Sequence, residues 1–297
     1  MPMRHLRGTI ECMNPTELAE VENALEPAAR AARQAGEQAG VEVRALDTLS
    51  EFEAASRLIS RIWDDDEPKA PAGLLRALSH AGNFVAGAWR GENVVGVSLA
   101  FFGIEDAEFH LHSHITGVRP DLQGTSVGFA LKQFQRTWAL EHGARTVRWT
   151  ADPLVRMNMF FNLVKLGGTI VAYHDDFYGR IVDGLNADDD TDRVVVRWDL
   201  TSDRVVSAAN GTPVAVPPVS EGTVILRADP DGRPAMAEGD GDTLLAWIPE
   251  DIVRLREADA ATAHAWRRAL RETAGRSLAA GFQAEAITRN GWFVLTR

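Results

Sequence analysis

The segment that most constrains the fold is Ile115–Gly128, ITGVRPDLQGTSVG. A strand-like stretch ends in Val118-Arg119-Pro120, and a polar turn, Asp121-Leu122-Gln123-Gly124-Thr125-Ser126, follows it. The apolar-periodic segment VGFALKQFQRTWALEHG begins at once. This predicts a strand, a tight turn rich in small residues, and a helix. The first-turn amides of such a helix lack intrahelical acceptors and carry the positive end of its dipole. Small residues let a phosphate approach those amides, so the turn reads as an anion cradle suited to a pyrophosphate. The plainer alternative is an ordinary strand-to-helix turn, and local pattern alone leaves both open.

The spacing Val118-x-Pro120-x-x-Gln123-Gly124-x-Ser126-x-Gly128 resembles motif A of the GNAT superfamily of acyl-CoA N-acyltransferases, which reads V-x-P-x-x-(Q/R)-G-x-G-x-(G/A). Ser126 is the departure, since the family usually has glycine there. Serine is small and carries its own donor for a phosphate. The order of elements agrees with the resemblance independently of the motif. VEVRAL (Val41–Leu46) alternates as a strand, and Asp47-Thr48 caps a helix to about Trp63. Leu74–Leu78 is a short helix. Ala86–Trp89 and Val94–Phe102 form a hairpin about Arg90-Gly91-Glu92-Asn93, and EFHLHSHITGV is the long strand entering the motif. Gly143 ends the motif helix. Strand ARTVRWTADP, helix LVRMNMFFNLVKL and strands GTIVAYHDDFYG and DRVVVRWDL come next. The stretch from Ala187 to Asp192 reads as an acidic loop.

The expected fold class is therefore α/β with a mixed sheet. The resemblance implies a GNAT-type fold with splayed parallel strands around the CoA site, and it covers 41–200. Residues 1–40 read as an N-terminal helical extension beginning at Asn14-Pro15, broken or kinked at Pro27, and packing on the domain or on a second subunit. Residues 201–297 read as a smaller C-terminal α+β appendage. It contains a Pro/Gly-rich linker with short strands, a long helix capped by Asp259, and the terminal strand GWFVLTR. A homodimer built through the extension or the appendage is one expected arrangement.

An acyl transfer from CoA needs a base for the amine, donors at the thioester oxygen and a proton for the leaving thiolate. His110, His112 and His114 alternate along the strand before the motif and share one face. Histidine titrates near neutrality, which suits a base. By the resemblance, His112 is the first candidate, standing about six residues before the motif valine where the family often has a glutamate, and His114 is the next. Three alternate residues on one strand suit tetrahedral zinc poorly, and no metal is expected. By the resemblance, backbone groups at Ile115, Gly117 and Val118 would hold the pantetheine arm. Gln123, Gly124, Thr125, Ser126, Val127 and Gly128 would hold the pyrophosphate, and Asn158 and Asn162, at i and i+4 on one helix face, would bond CoA. Leu163 occupies the offset where the family often has the tyrosine that protonates the thiolate, which leaves the only tyrosines, Tyr173 and Tyr178, or water, as candidate acids.

Expected donors are acetyl-CoA or succinyl-CoA; Arg148 or Arg156 would meet a succinyl carboxylate. The expected acceptor is a small-molecule amine, an amino acid being one class. The alternative function is a non-catalytic acyl-CoA-binding sensor or scaffold. A P-loop nucleotide binder is disfavoured because no Walker lysine follows the turn.

Composition narrows the partners. The formal charge is −11 over 297 residues, without a basic patch, which argues against nucleic acid. The acidic run Asp64-Asp65-Asp66-Glu67 reads as a solvated loop that borders the acceptor pocket in a GNAT fold. Cys12 is the single cysteine and permits no intrachain disulfide. There is no bilayer-length apolar run and no signal-peptide pattern, so a soluble cytoplasmic protein without a membrane partner is expected.

Overall fold

The computed structural model describes residues 15–63, 69–105, 107–179 and 189–297. Cys12, the cap at Asn14, the acidic run 64–67 and the first part of the acidic loop at 187–188 lie outside the described residues. The chain divides into two compact units, Met1–Arg148 with Asp199–Asn210, and Trp149–Trp198 with Gly211–Arg297. The division crosses the chain inside a strand, at Arg148/Trp149, and again at Trp198/Asp199 and Asn210/Gly211.

The first unit begins with α1 (Pro15–Ala39) and β1 (Glu42–Ala45). Next come α2 (Leu49–Trp63), α3 (Ala72–His80), β2 (Phe84–Arg90), β3 (Asn93–Glu105) and β4 (Glu108–Val118). It continues into α4 (Val127–Glu141) and the start of β5 (Thr146–Ala151), and recovers α6 (Asp203–Ala209) later in the chain. β1, β2, β3 and β4 are successively antiparallel, and β5 joins β4 in parallel. This is the element order the sequence predicts.

Local chemistry accounts for the helix boundaries. Glu51 Oε2 accepts the amides of Asp47 (2.8 Å) and Thr48 (3.1 Å). The amide of Glu51 reaches Thr48 Oγ1 at 3.4 Å, the reciprocal pairing of a capping box. Gly143, at φ +77°, ends α4, and Ala144 N–H closes back on Ala139 C=O at 2.9 Å.

Two apolar layers hold the sheet. Phe52, Leu58 and Ile59 of α2 and Leu75 of α3 pack with Val97, Leu99 and Ile115. Ala35 and Ala39 of α1 and Val127, Ala130 and Leu131 of α4 pack with Val95 and Ala88. Pro27 does not break α1, which runs continuously from Pro15 to Ala39. Ala28, Ala31, Ala35 and Ala39 are buried at helical spacing, and α1 lies along α4 within the unit. Burial of this stripe offsets the one backbone bond that Pro27 cannot make. Of the two expected settings for this helix, the structure shows the one on its own domain.

The second unit contains the end of β5, α5 (Arg156–Phe160), β6 (Thr169–His174) and β7 (Arg193–Asp199). It also contains β8 (Thr223–Ala228), β9 (Pro234–Met236), β10 (Thr243–Trp247), α7 (Ile252–Ala258) and α8 (Ala260–Leu270). The last elements are α9 (Arg276–Ala279), β11 (Gln283–Ile287) and β12 (Trp292–Thr296). Its strand order is β7-β6-β11-β12-β10-β8-β9.

The C-terminal residues are thus built into one sheet with β6 and β7. Buried ion pairs tie them there. Arg267 of α8 donates Nη1 to Asp152 Oδ1 (2.7 Å) and Nη2 to Asp189 Oδ2 (2.9 Å). Arg256 of α7 reaches Asp152 Oδ2 (2.7 Å) and Asp189 Oδ2 (3.0 Å). Burial alone would raise the Asp152 pKa, but the two guanidiniums outweigh it and hold the carboxyl well below the usual range. The expected helix at Asp259 is present. Asp259 accepts from Thr262 N–H at 3.0 Å, and a π turn at Arg271–Gly275 separates α8 from α9.

Candidate functional site

The turn between β4 and α4 is built from the sequence outward. Arg119 N–H bonds Val95 C=O at 2.9 Å, and its guanidinium pairs with Asp121 across 2.6 Å. Pro120–Leu122 makes one 3-10 turn that drives Leu122 into the apolar layer beside Val127. Thr125 Oγ1 donates to Leu122 C=O at 2.6 Å. With both flanks fixed, Gln123, Gly124, Thr125 and Ser126 stand exposed.

Gly124 and Ser126 both have left-handed backbones, at φ +79° and +67°. That gives a physical reason for glycine at the Ser126 position, because an L-residue there is strained by about 1–2 kcal/mol. Ser126 is the N-cap residue of α4, yet its side chain makes no capping bond. The first helical bond of α4 runs from Ala130 N–H to Ser126 C=O. The amides of Val127, Gly128 and Phe129 therefore open the helix without intrahelical acceptors. The residues present fit a phosphate: an exposed turn, two left-handed positions and a helix N-terminus.

β4 leads into this turn and carries an irregularity. Its register with β3 runs Leu99↔Ile115 and then Ala100↔Ser113, so His114 is an extra, bulged residue. The parallel register with β5 comprises Leu111↔Val147 and His112↔Arg148. Ile115, Gly117 and Val118 lie beyond it, paired with β3 at Leu99, Val97 and Gly96. At Gly117 a Cβ would stand 2.9 Å from the Ile62 side chain and 3.0 Å from the Trp63 ring, so a larger residue would have to push these side chains of α2 aside.

The histidines separate in character. His110 is buried, and a side chain at Gly103 would stand 2.9 Å from its Nε2. His112 stacks on Phe101 with ring centroids 5.0 Å apart, and His114 lies 5.7 Å from the same ring. Burial, then the neighbouring His114, His110 and Lys132, pushes the His112 pKa down to about 4. Desolvation lowers that of His114 as well. His112 is therefore uncharged at neutral pH. His114 is the more exposed of the pair.

The remaining candidates lie in the second unit. Asn158 is exposed on α5, whereas Asn162 is buried. A π turn at Phe161–Lys165 follows α5 directly. The two asparagines differ in exposure. Tyr173 is engaged: its hydroxyl donates to Asp192 Oδ2 at 2.6 Å. Burial and that carboxylate raise its pKa well above the ordinary tyrosine value. Tyr178 is exposed, with its hydroxyl 3.0 Å from Thr150 Oγ1.

Neither arginine weighed as a succinyl partner is unpaired. Arg148 is held by Glu105 and Glu108. Arg156 donates to Pro249 C=O (3.2 Å) and Ile248 C=O (2.5 Å) and lies over Trp247.

Sequence reading missed Lys132. It is buried in α4, with Nζ 2.9 Å from Ser113 Oγ and 3.0 Å from Gln135 Oε1. Burial pushes its pKa down to about 7. No local signal marked it, because α4 is buried over most of its faces.

No protein-family model matches this sequence, and no curated protein does. Solved structures show likeness to part of the chain. One is yncA from Salmonella typhimurium, described with its cofactor acetyl-CoA, at 15% identity over 54% of this chain and 94% of that one, TM-score 0.43. A second is the acetyltransferase of the GNAT family from Streptococcus pneumoniae, at 11% identity over 53% and 97%, TM-score 0.41. A third is the ribosomal-protein-S18-alanine N-acetyltransferase from Escherichia coli, at 12% identity over 60% and 97%, TM-score 0.42.

Proposed function

We propose that this chain is an acyl-CoA-dependent N-acyltransferase that passes an acyl group to a small-molecule amine by direct attack on the thioester. The observation that carries the reading is the Gln123–Gly128 turn. It has the motif spacing, two left-handed positions and the open first-turn amides of α4, a setting that favours a pyrophosphate. Ile115, Gly117 and Val118 supply the strand backbone for the pantetheine amides. His114, exposed on the bulge, is the proton acceptor, with uncharged His112 beside it. A base with a conjugate-acid pKa near 4 is poorly matched to an amine. Of the two tyrosines expected as the acid for the thiolate, Tyr173 has its proton committed to Asp192, whereas Tyr178 is exposed.

Acetyl-CoA is the favoured donor, because Arg148 already carries two carboxylates and adds no free cation for a succinyl group. That engaged Tyr173 also favours a second reading, an acyl-CoA sensor without turnover.

Calorimetric titration with acetyl-CoA, succinyl-CoA and CoA tests the proposal. Binding is expected, and Gly128→Trp abolishes it by filling the approach to the amides. Loss of binding in the unchanged chain, or its survival in Gly128→Trp, overturns the cradle. Binding with no turnover across a panel of amines selects the sensor.

A further inference from the structure

The bulge in β4 lies between its register with β5 and the motif turn, and a polar chain beneath it has no part in the chemistry assigned so far. Lys132 Nζ donates to Ser113 Oγ at 2.9 Å and to Gln135 Oε1 at 3.0 Å. Gln135 Nε2 donates to Ser98 Oγ at 3.2 Å, and Ser98 Oγ lies 3.0 Å from Thr116 Oγ1. Ser98, Ser113, Lys132 and Gln135 are all buried. The chain therefore joins β4 on either side of His114, through α4 and β3.

Its spacing is informative. Side chains on one face of a regular strand recur every second residue. Ser113 and Thr116 are three apart, yet both hydroxyls enter the same chain on the α4 side. That is possible because the bulge inserts one residue between them. Moving the bulge by one position would turn one of the two hydroxyls to the opposite face and leave a buried partner unmatched. The chain thus selects the register in which His114 is the extra residue and Ile115 enters the α2–α3 layer.

We propose that Lys132 is a positioning residue for the acyl-CoA arm: through Ser113, and through Gln135, Ser98 and Thr116, it pins the β4 bulge and so sets the backbone of Ile115–Val118 that receives the arm. This inference rests on the acyl-CoA reading above. It assigns Lys132 no contact with the ligand, and its effect falls on the arm and the acyl group rather than on the phosphates.

The test compares two ligands on the full chain, acetyl-CoA and 3′-phosphoadenosine 5′-diphosphate, which keeps the pyrophosphate and lacks the arm. Thr116→Val removes one hydroxyl at nearly constant shape, and Thr116→Ser keeps it. With Thr116→Val, acetyl-CoA affinity falls about tenfold or more while nucleotide affinity stays within about twofold, and Thr116→Ser restores the former. Lys132→Met shows the same split; should that variant fail to fold, the Thr116 pair carries the test alone. Equal losses for both ligands, or no loss for either, overturn the positioning role. If the unchanged chain binds the nucleotide and acetyl-CoA equally, the arm is not held by β4 and the inference falls while the cradle stands. If it binds neither, the acyl-CoA reading itself fails and takes this inference with it.

Discussion

A buried lysine leaves a signature in the pH dependence of stability, and Lys132 allows it to be worked out. Its pKa is about 7 in the fold and 10.5 ordinarily. Between these values the unfolded chain binds one proton that the folded chain does not. Stability therefore rises with pH across this window, by about 1.4 kcal/mol per unit where the folded amine is neutral and the unfolded one charged. From pH 7 to pH 9 the gain is about 2 kcal/mol, slightly below two full units because the folded amine is still half protonated at the lower end. Below pH 7 both states carry the charge and the slope from this group vanishes.

Lys132→Met removes the titration. It also leaves Ser113 and Gln135 short of a partner, at about 1–3 kcal/mol for each buried group. That loss is independent of pH, so the difference between the two proteins isolates the lysine. Urea unfolding at pH 7, 8 and 9 is the assay, with stabilities taken at a common m-value. The unchanged chain gains about 2 kcal/mol on the variant between the two ends. Parallel curves would show that Lys132 titrates alike in both states, and the account of its burial would be wrong.

Other expectations are narrower. Ser126→Gly relieves a left-handed serine at φ +67° and raises stability by about 0.5–1 kcal/mol after the entropy of glycine is counted; a lower urea midpoint refutes this. His112 titrates with a midpoint near 4 in a proton NMR pH series. Because its folded pKa lies below the unfolded 6.5, stability is lost as pH falls from 6.5 toward 4, and His112→Asn flattens that slope. Arg267→Met leaves Asp152 and Asp189 buried with one guanidinium fewer and lowers stability by about 3–5 kcal/mol in urea unfolding.

The parts of the chain that could be read from sequence are those where a few adjacent residues decide the outcome. Thr48 and Glu51 make their capping box within four residues, and Gly143 ends α4 through its own dihedral. The motif turn needs only Val118 to Gly128. What could not be read depends on residues far apart or on winding that deviates from the ideal. Arg267 meets Asp152 across 115 positions, and Arg256 meets it across 104. Nothing local announces that α7 and α8 close on the end of β5 and join the C-terminal residues to β6 and β7. Asn158 and Asn162 look paired on a 3.6-residue helix, but the first is exposed and the second buried. Ser126 reads as a phosphate donor by residue type, and only its dihedral reveals the strain.

Lys132 shows why a helical wheel is a weak guide to α4. Lys132, Gln133, Gln135, Arg136 and Thr137 are all buried, although each would be placed on a solvent face by type. Arg136 has a structural explanation, since its Nε and Nη2 hold Leu200 C=O at 3.0 and 2.8 Å. For Lys132 burial carries a cost, since it lowers the amine's pKa to about 7. Near neutral pH its burial works against folding, and an apolar core in its place, with Ser113 and Gln135 also made apolar, would remove both the desolvation and the unmatched groups. A costly group whose bonds converge on the β4 bulge is better explained by the register it enforces than by the energy it contributes. On that view α4 serves both ends of the same ligand. By the proposed reading, its N-terminus would meet the pyrophosphate, and Lys132, little more than one turn further on, would set the strand for the arm.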